Sequence, residues 1–124
     1  MESAKKVIIC PSNPIVSIGT ILSIPGFRDS LKMVKEKVYG ISPIVQGATI
    51  KGPADKLMES LNLEVSCVGV ANYYRDVLGH FIIDIKDSNQ REEIEKFGIE
   101  VSYYDTIMDS IIKKKELAQF LIDL

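Results

Sequence analysis

Residues 7–22 read VIICPSNPIVSIGTIL, a short apolar run that stops abruptly in a turn of Pro, Ser, Asn and Gly. The run Val7-Ile8-Ile9-Cys10 has no polar alternation, which is the pattern of a strand buried on both faces of a parallel sheet. The turn then stands at the carboxyl end of that strand. In open α/β sheets ligands bind in the crevice beyond the strands' carboxyl ends, where loops diverge and leave backbone N–H groups free to face them. Ser12, Asn13 and Ser17 supply small hydroxyl and amide groups, and Gly19 allows close backbone approach, a combination suited to a phosphate or another anion. A solvated loop joining strand to helix fits the same residues.

Outward from this stretch, strands alternate with helices. Phe27–Lys35 has helical spacing and Lys37–Ile41 is a second strand. The loop 44–53, IVQGATIKGP, ends in Gly52-Pro53, a good helix start with glycine at the cap and proline at the first helical position. The helix Pro53–Leu61 follows, so that Lys51 and the positive end of the helix dipole would converge on one point. A plain solvated lysine is the simpler reading of Lys51. Glu64–Leu78 is a short extended entry followed by a helix, His80–Ile85 a strand and Ser88–Phe97 a helix opened by an Asp87/Gln90 capping box. Ile99–Tyr103 is the last strand, and Thr106 with Asp109 opens a final helix over about 107–122. The pattern predicts one α/β domain over residues 1–124: a mostly parallel sheet with flanking helices, Rossmann-like. No GxGxxG turn is present, so the chain reads as the C-terminal part of a larger fold.

Composition narrows the function. With 46 % apolar and 26 % charged residues the chain is ordinary globular protein, and its net charge of −2 argues against a general nucleic-acid binder. Charge is uneven: residues 1–64 hold eight Lys/Arg against six Asp/Glu, and residues 65–124 seven against eleven, which places any anion site in the first half. No apolar run is long enough to span a bilayer and the N-terminus lacks a signal-like segment, so no membrane partner and a cytoplasmic location are expected. Cys10 and Cys67 lack metal spacing and read as buried thiols, and His80, the single histidine, reads as a strand-end residue. Of the pairs Tyr73-Tyr74 and Tyr103-Tyr104, one member each should face the core. Asp84 and Asp105 sit at strand ends, where turn and capping roles compete with a magnesium contact.

The segments ICPSNPIVSIGTIL, SPIVQGATIKGPADKLM, LEVSCVGVANYYRDVL, FIID and DTIMDS together resemble the downstream portion of the 2-phospho-L-lactate transferases of coenzyme F-420 biosynthesis. The resemblance runs through nearly the whole chain. It implies a guanosine-diphosphate-linked phospholactate (or related) donor, a deazaflavin acceptor and magnesium-assisted phosphoryl transfer. Under it, Ser12, Asn13, Ser17 and Gly19 belong to the donor phosphate contacts, and Lys51, Gly52 and Asp55 line the same crevice. Asp55 would orient Lys51 or a bound group, or cap its own helix. Thr20 and Gln46 depart from the family pattern, standing where proline and glycine are common. The family's GGTGG-type turn, its acidic metal ligands and its main deazaflavin contacts lie upstream of this chain. The resemblance therefore implies half of a site, magnesium ligands outside the chain, little transferase activity alone, and a homodimer or an upstream-half partner chain. Two other readings stay open: a non-catalytic nucleotide-sugar-binding regulator of the gluconeogenesis-factor type, and an assembly module without ligand.

Overall fold

The two apolar, β-branched and aromatic segments Val38–Ile41 (β2) and His80–Asp84 (β5) become the central strands of the sheet. In the computed structural model, which describes residues 1–124, they are flanked by Val7–Ile9 (β1) and Glu100–Tyr104 (β6). The order is β1-β2-β5-β6, all parallel. Val38–Ile41 leads into a hairpin of two-residue strands, Ile44–Val45 (β3) and Ala48–Thr49 (β4). The helices are Gly19–Leu22 (α1), Phe27–Met33 (α2), Ala54–Ser60 (α3), Cys67–Tyr74 (α4), Arg91–Glu95 (α5) and Ile111–Asp123 (α6).

Strand order never reverses, and parallel crossovers are right-handed, so every connecting helix must lie on the same face of the sheet. Packing agrees. One cluster of 19 buried residues joins Ile9, Val38, Phe81, Ile83 and Val101 from the strands to Leu31, Met58, Val70, Tyr74 and Ile94 from the helices. Only α6 returns across the other face, where Leu117 and Leu121 meet Tyr39, Ile41 and Ile82. Gly40 sits between Ile9 and Phe81 on the first face, and a Cβ there would come within 2.7 Å of Leu78 Cδ1. A side chain at that position would force Leu78 to shift.

This topology overturns the reading of β1 as a strand buried on both faces. It is an edge strand that α6 leaves partly uncovered, so Ile8 is 43 % exposed and Cys10, expected to be buried, is exposed. Cys67 is buried as expected, and burial pushes its thiol up to about 12, leaving it inert. Tyr74 faces the core while Tyr73 packs at its margin. Tyr103 is exposed, and Tyr104 stacks on Phe120 of α6. At the amino end His80 stacks on Tyr39 with ring centroids 4.2 Å apart and lies 3.3 Å from Glu100. No helix is long and apolar enough to cross a membrane.

Candidate functional site

The first wall grows from Asn13. Its Oδ1 accepts the N–H groups of Ile15 (2.9 Å) and Val16 (3.2 Å), and its carbonyl accepts those of Ser17 and Ile18. The segment expected to be an open loop therefore winds as a π-helical turn, Pro14–Ile18, running directly into α1. Such turns are uncommon and recur at functional sites. The geometry corrects one expectation: the N–H groups of Ser12, Ile15, Val16, Ser17 and Ile18 are consumed within the turn and are not free for an anion. What the turn offers is side chains. The Ser12 and Ser17 hydroxyls make no hydrogen bond within the chain, and Asn13 Nδ2 is buried without a partner. Gly19 adopts ordinary helical angles, and a Cβ there would meet Pro14 O and Tyr73 Oη at 2.9 Å each. Its lack of a side chain lets α1 pack on Tyr73.

The second wall hangs from the β3–β4 hairpin. Gln46 (φ 51°) and Gly47 (φ 74°) form its two-residue turn, and two left-handed residues are what a type I′ turn requires. Gln46 at the first of these positions carries the strain that a glycine would avoid. Its N–H is held by both oxygens of Asp87, at 3.1 and 3.0 Å. Beyond the hairpin, Ile50, Lys51, Gly52 and Pro53 descend to α3, and Gly52 (φ 83°) makes the bend while its carbonyl accepts the Thr49 hydroxyl at 3.0 Å. Pro53, expected to be the first helical residue, is the cap, and α3 starts at Ala54. Lys51 is exposed and makes no ion pair. Asp55, in the first turn of α3, makes no hydrogen bond to its own helix and no pair with Lys51.

The third wall is Thr106–Asp109, which the sequence pattern places at the start of the last helix and not in the cleft. Thr106 does not start the last helix. Its N–H and hydroxyl both bond Asp84 Oδ2 at 3.0 Å, and the helix opens at Ser110, whose hydroxyl accepts Lys113 N–H. Likewise Asp87 and Gln90 form no capping box: the backbone continues from β5 as a 3-10 turn, Ile85–Gln90, which Asp84 caps by accepting Lys86 N–H, and Gln90 precedes α5 without a side-chain capping bond. Lys113, 3.1 Å away, and the Ile107 N–H hold the exposed Asp105 carboxyl below its usual range. Asp109 also faces Lys113, at 3.5 Å.

The three walls enclose a cleft of about 530 Å³ at the carboxyl ends of the strands. Ser12, Asn13, Ser17, Lys51 and Gly52 line it together; Gly19 and Asp55 do not. Its rim is apolar, with Val16, Ile50 and Met108 exposed. Hydroxyls below, one free cation and an apolar rim can hold an anionic group that carries a less polar body. No group of three His, Cys, Asp or Glu side chains is placed to hold a metal; Asp84 and Asp87 accept protein donors and Asp109 faces Lys113.

The family profile described as 2-phospho-L-lactate transferase CofD matches residues 1–118. The chain belongs to that family. It is 48 % identical over 124 residues to the 2-phospho-L-lactate transferase of Methanosarcina barkeri (strain Fusaro), covering 100 % of this chain and 40 % of that protein. The Methanosarcina acetivorans protein of the same name is 46 % identical over 99 % of this chain and 39 % of its own length. That of Methanothermobacter thermautotrophicus is 43 % identical over 98 % and 39 %. The chain thus spans about two fifths of the length of the curated relatives it matches. Within that family's pattern the resemblance points to the turn 11–19 and the segment 51–55, of which Ser12, Asn13, Ser17, Lys51 and Gly52 line the cleft. Thr106–Asp109 carried one local signal, the DTIMD string itself, misread as a capping box.

Proposed function

We propose that these 124 residues form the donor-phosphate side of a phospholactyl-transfer site. In this reading Ser12 and Ser17 donate hydrogen bonds to phosphate oxygens, Asn13 holds the turn that aims them, and Lys51 supplies a point charge as charge builds on the transferred group. Gly52 lets that strand bend into the cleft. The donor is a guanosine-diphosphate-linked phospholactate or a close relative. The acceptor is the deazaflavin precursor of coenzyme F-420, whose hydroxyl attacks the phosphorus in line as the guanosine nucleotide leaves. The observation that carries the reading is the convergence of the unpartnered Ser12 and Ser17 hydroxyls and the unpaired Lys51 on one cleft.

Magnesium belongs to this proposal only as an ion held by groups outside these residues, because the buried Asp84 and Asp87 already accept protein donors and no three acidic side chains cluster here. No step is assigned to it. The remaining part of a family-sized protein would meet the chain along β1, whose outer edge is unpaired and whose neighbouring groove, between Ile8, Ile21 and Phe27, is wholly apolar. Calorimetric titration of the chain with guanosine diphosphate, with and without magnesium, tests the site. Saturable binding, lost in Ser17→Ala and weakened in Lys51→Ala, is the expected result. Binding that both variants retain in full places the nucleotide elsewhere and ends the proposal.

A further inference from the structure

Asp84 and Asp87 are the two carboxylates buried most completely, 1 % and 3 % exposed, and the chemistry above leaves both unused. Burying a carboxylate is costly, and a well-packed hydrophobe usually serves stability as well. What a carboxylate adds is a fixed direction for the N–H groups it accepts. Here those groups belong to distant segments: Gln46, 41 residues from Asp87, and Thr106, 22 residues from Asp84. We propose that Asp84 and Asp87 are positioning residues that set the width of the cleft, Asp84 fixing the Thr106–Asp109 wall and Asp87 fixing the hairpin that delivers Lys51.

The geometry is economical. Both carboxylates lie three residues apart at the junction of β5 with its 3-10 turn, so one rigid element sets the spacing of two walls. Asp84 is itself locked, since its second oxygen accepts Lys86 N–H at 3.0 Å while the first holds Thr106 twice. Asp87 spans the Gln46 N–H with both oxygens and is met by Gln90 Nε2 at 3.5 Å; Gln90 in turn accepts the Cys67 thiol at 3.3 Å. The first wall needs no brace, because Asn13 closes it internally. A ligand that touches all three walls depends on their separation, and displacements near 1 Å are costly for bound geometry.

The test compares Asp84→Asn, Asp87→Ala and Thr106→Val in the full chain, by residue-resolved amide hydrogen exchange and by guanosine diphosphate affinity. In Asp84→Asn, exchange at Thr106 should rise about tenfold, with Gln46 changing by less than about twofold; Asp87→Ala should show the reverse. Thr106→Val keeps the amide bond and loses only the hydroxyl bond, so it should fold and show a smaller, still local, rise. Guanosine diphosphate affinity should drop about threefold to tenfold in the two aspartate variants. Only the affinity arm rests on the proposed function: if the unaltered chain binds no nucleotide, that function fails and the exchange pattern alone decides the positioning claim. Uniform acceleration across the sheet, or local loosening that leaves a measurable affinity unchanged, overturns it.

Discussion

The two ends of the four-stranded sheet are built for different purposes. At the amino end the chain packs: Gly79 bonds Val38 and Glu100 through its backbone, His80 stacks on Tyr39, and a Cβ on Gly79 would run into the Lys35 carbonyl. At the carboxyl end it accepts local cost. Two carboxylates are buried, Gln46 holds a left-handed conformation, two serine hydroxyls go unpaired and Lys51 stands alone. Departures from local consistency concentrate at functional sites, and here they surround one cleft. Changes at the amino end and in the core should move stability without moving ligand affinity, and changes at the cleft should do the opposite.

The largest effect should come from Gly79→Ala, which forces a methyl into backbone and should cost about 3 kcal/mol in urea unfolding. The affinity of the folded fraction for guanosine diphosphate should be unchanged; a parallel loss of affinity would break the division between the ends. Lys51→Ala should weaken guanosine diphosphate binding by about fivefold to tenfold. Its unfolding free energy should stay within about 0.5 kcal/mol of the parent, because the side chain is exposed and unpaired. Tyr74→Phe removes a buried hydroxyl that has no partner, and urea unfolding should show a gain of about 1 kcal/mol with affinity unaltered.

The smallest effect lies in the ion pair of Arg28 with Asp76, which joins α2 to the end of α4. The Arg28 hydrogen bonds hold the Asp76 carboxyl below its usual range. A depressed carboxylate stabilises the fold above the ordinary carboxylate value and loses that contribution as pH falls through its lower, folded value. Both side chains are about one-third exposed, so the contribution is screened to about 0.5–1 kcal/mol. Asp76→Asn should therefore lower the Tm near neutral pH, and the difference should close in strongly acidic buffer. A difference that persists there would assign the effect to packing.

Much of this was legible in the sequence. The four strands follow from the runs read at 7–10, 37–41, 80–85 and 99–103, and the helices between them from their spacing and from glycine stops such as Gly98, whose φ is 77°. The hairpin was not legible. Its strands are two residues long, and Gln46 stands where Asn, Asp or Gly would announce the turn. The exposure of Ile8 and Cys10 could not be read from an apolar run, because it depends on β1 lying at the sheet's edge and on a single helix returning across that face. The Thr106–Asp109 wall depends on a bond between Asp84 and a residue 22 positions later; locally, Thr106 with Asp109 looks like a helix cap. Of the cleft, the serine and lysine walls follow from residue type and resemblance, whereas the DTIMDS string, though part of the resemblance, takes its place as a wall only from the fold.

The most direct measurement is a two-dimensional amide NMR titration of the isotope-labelled chain with guanosine diphosphate. Saturable shifts at Ser12–Ser17, Lys51–Gly52 and Thr106–Asp109, with His80, Glu100 and the rest of the amino end still, are the predicted result. Shifts that gather at the amino end, or none at ligand concentrations of about 10 mM, weaker than any working nucleotide site, would contradict the assignment of the cleft.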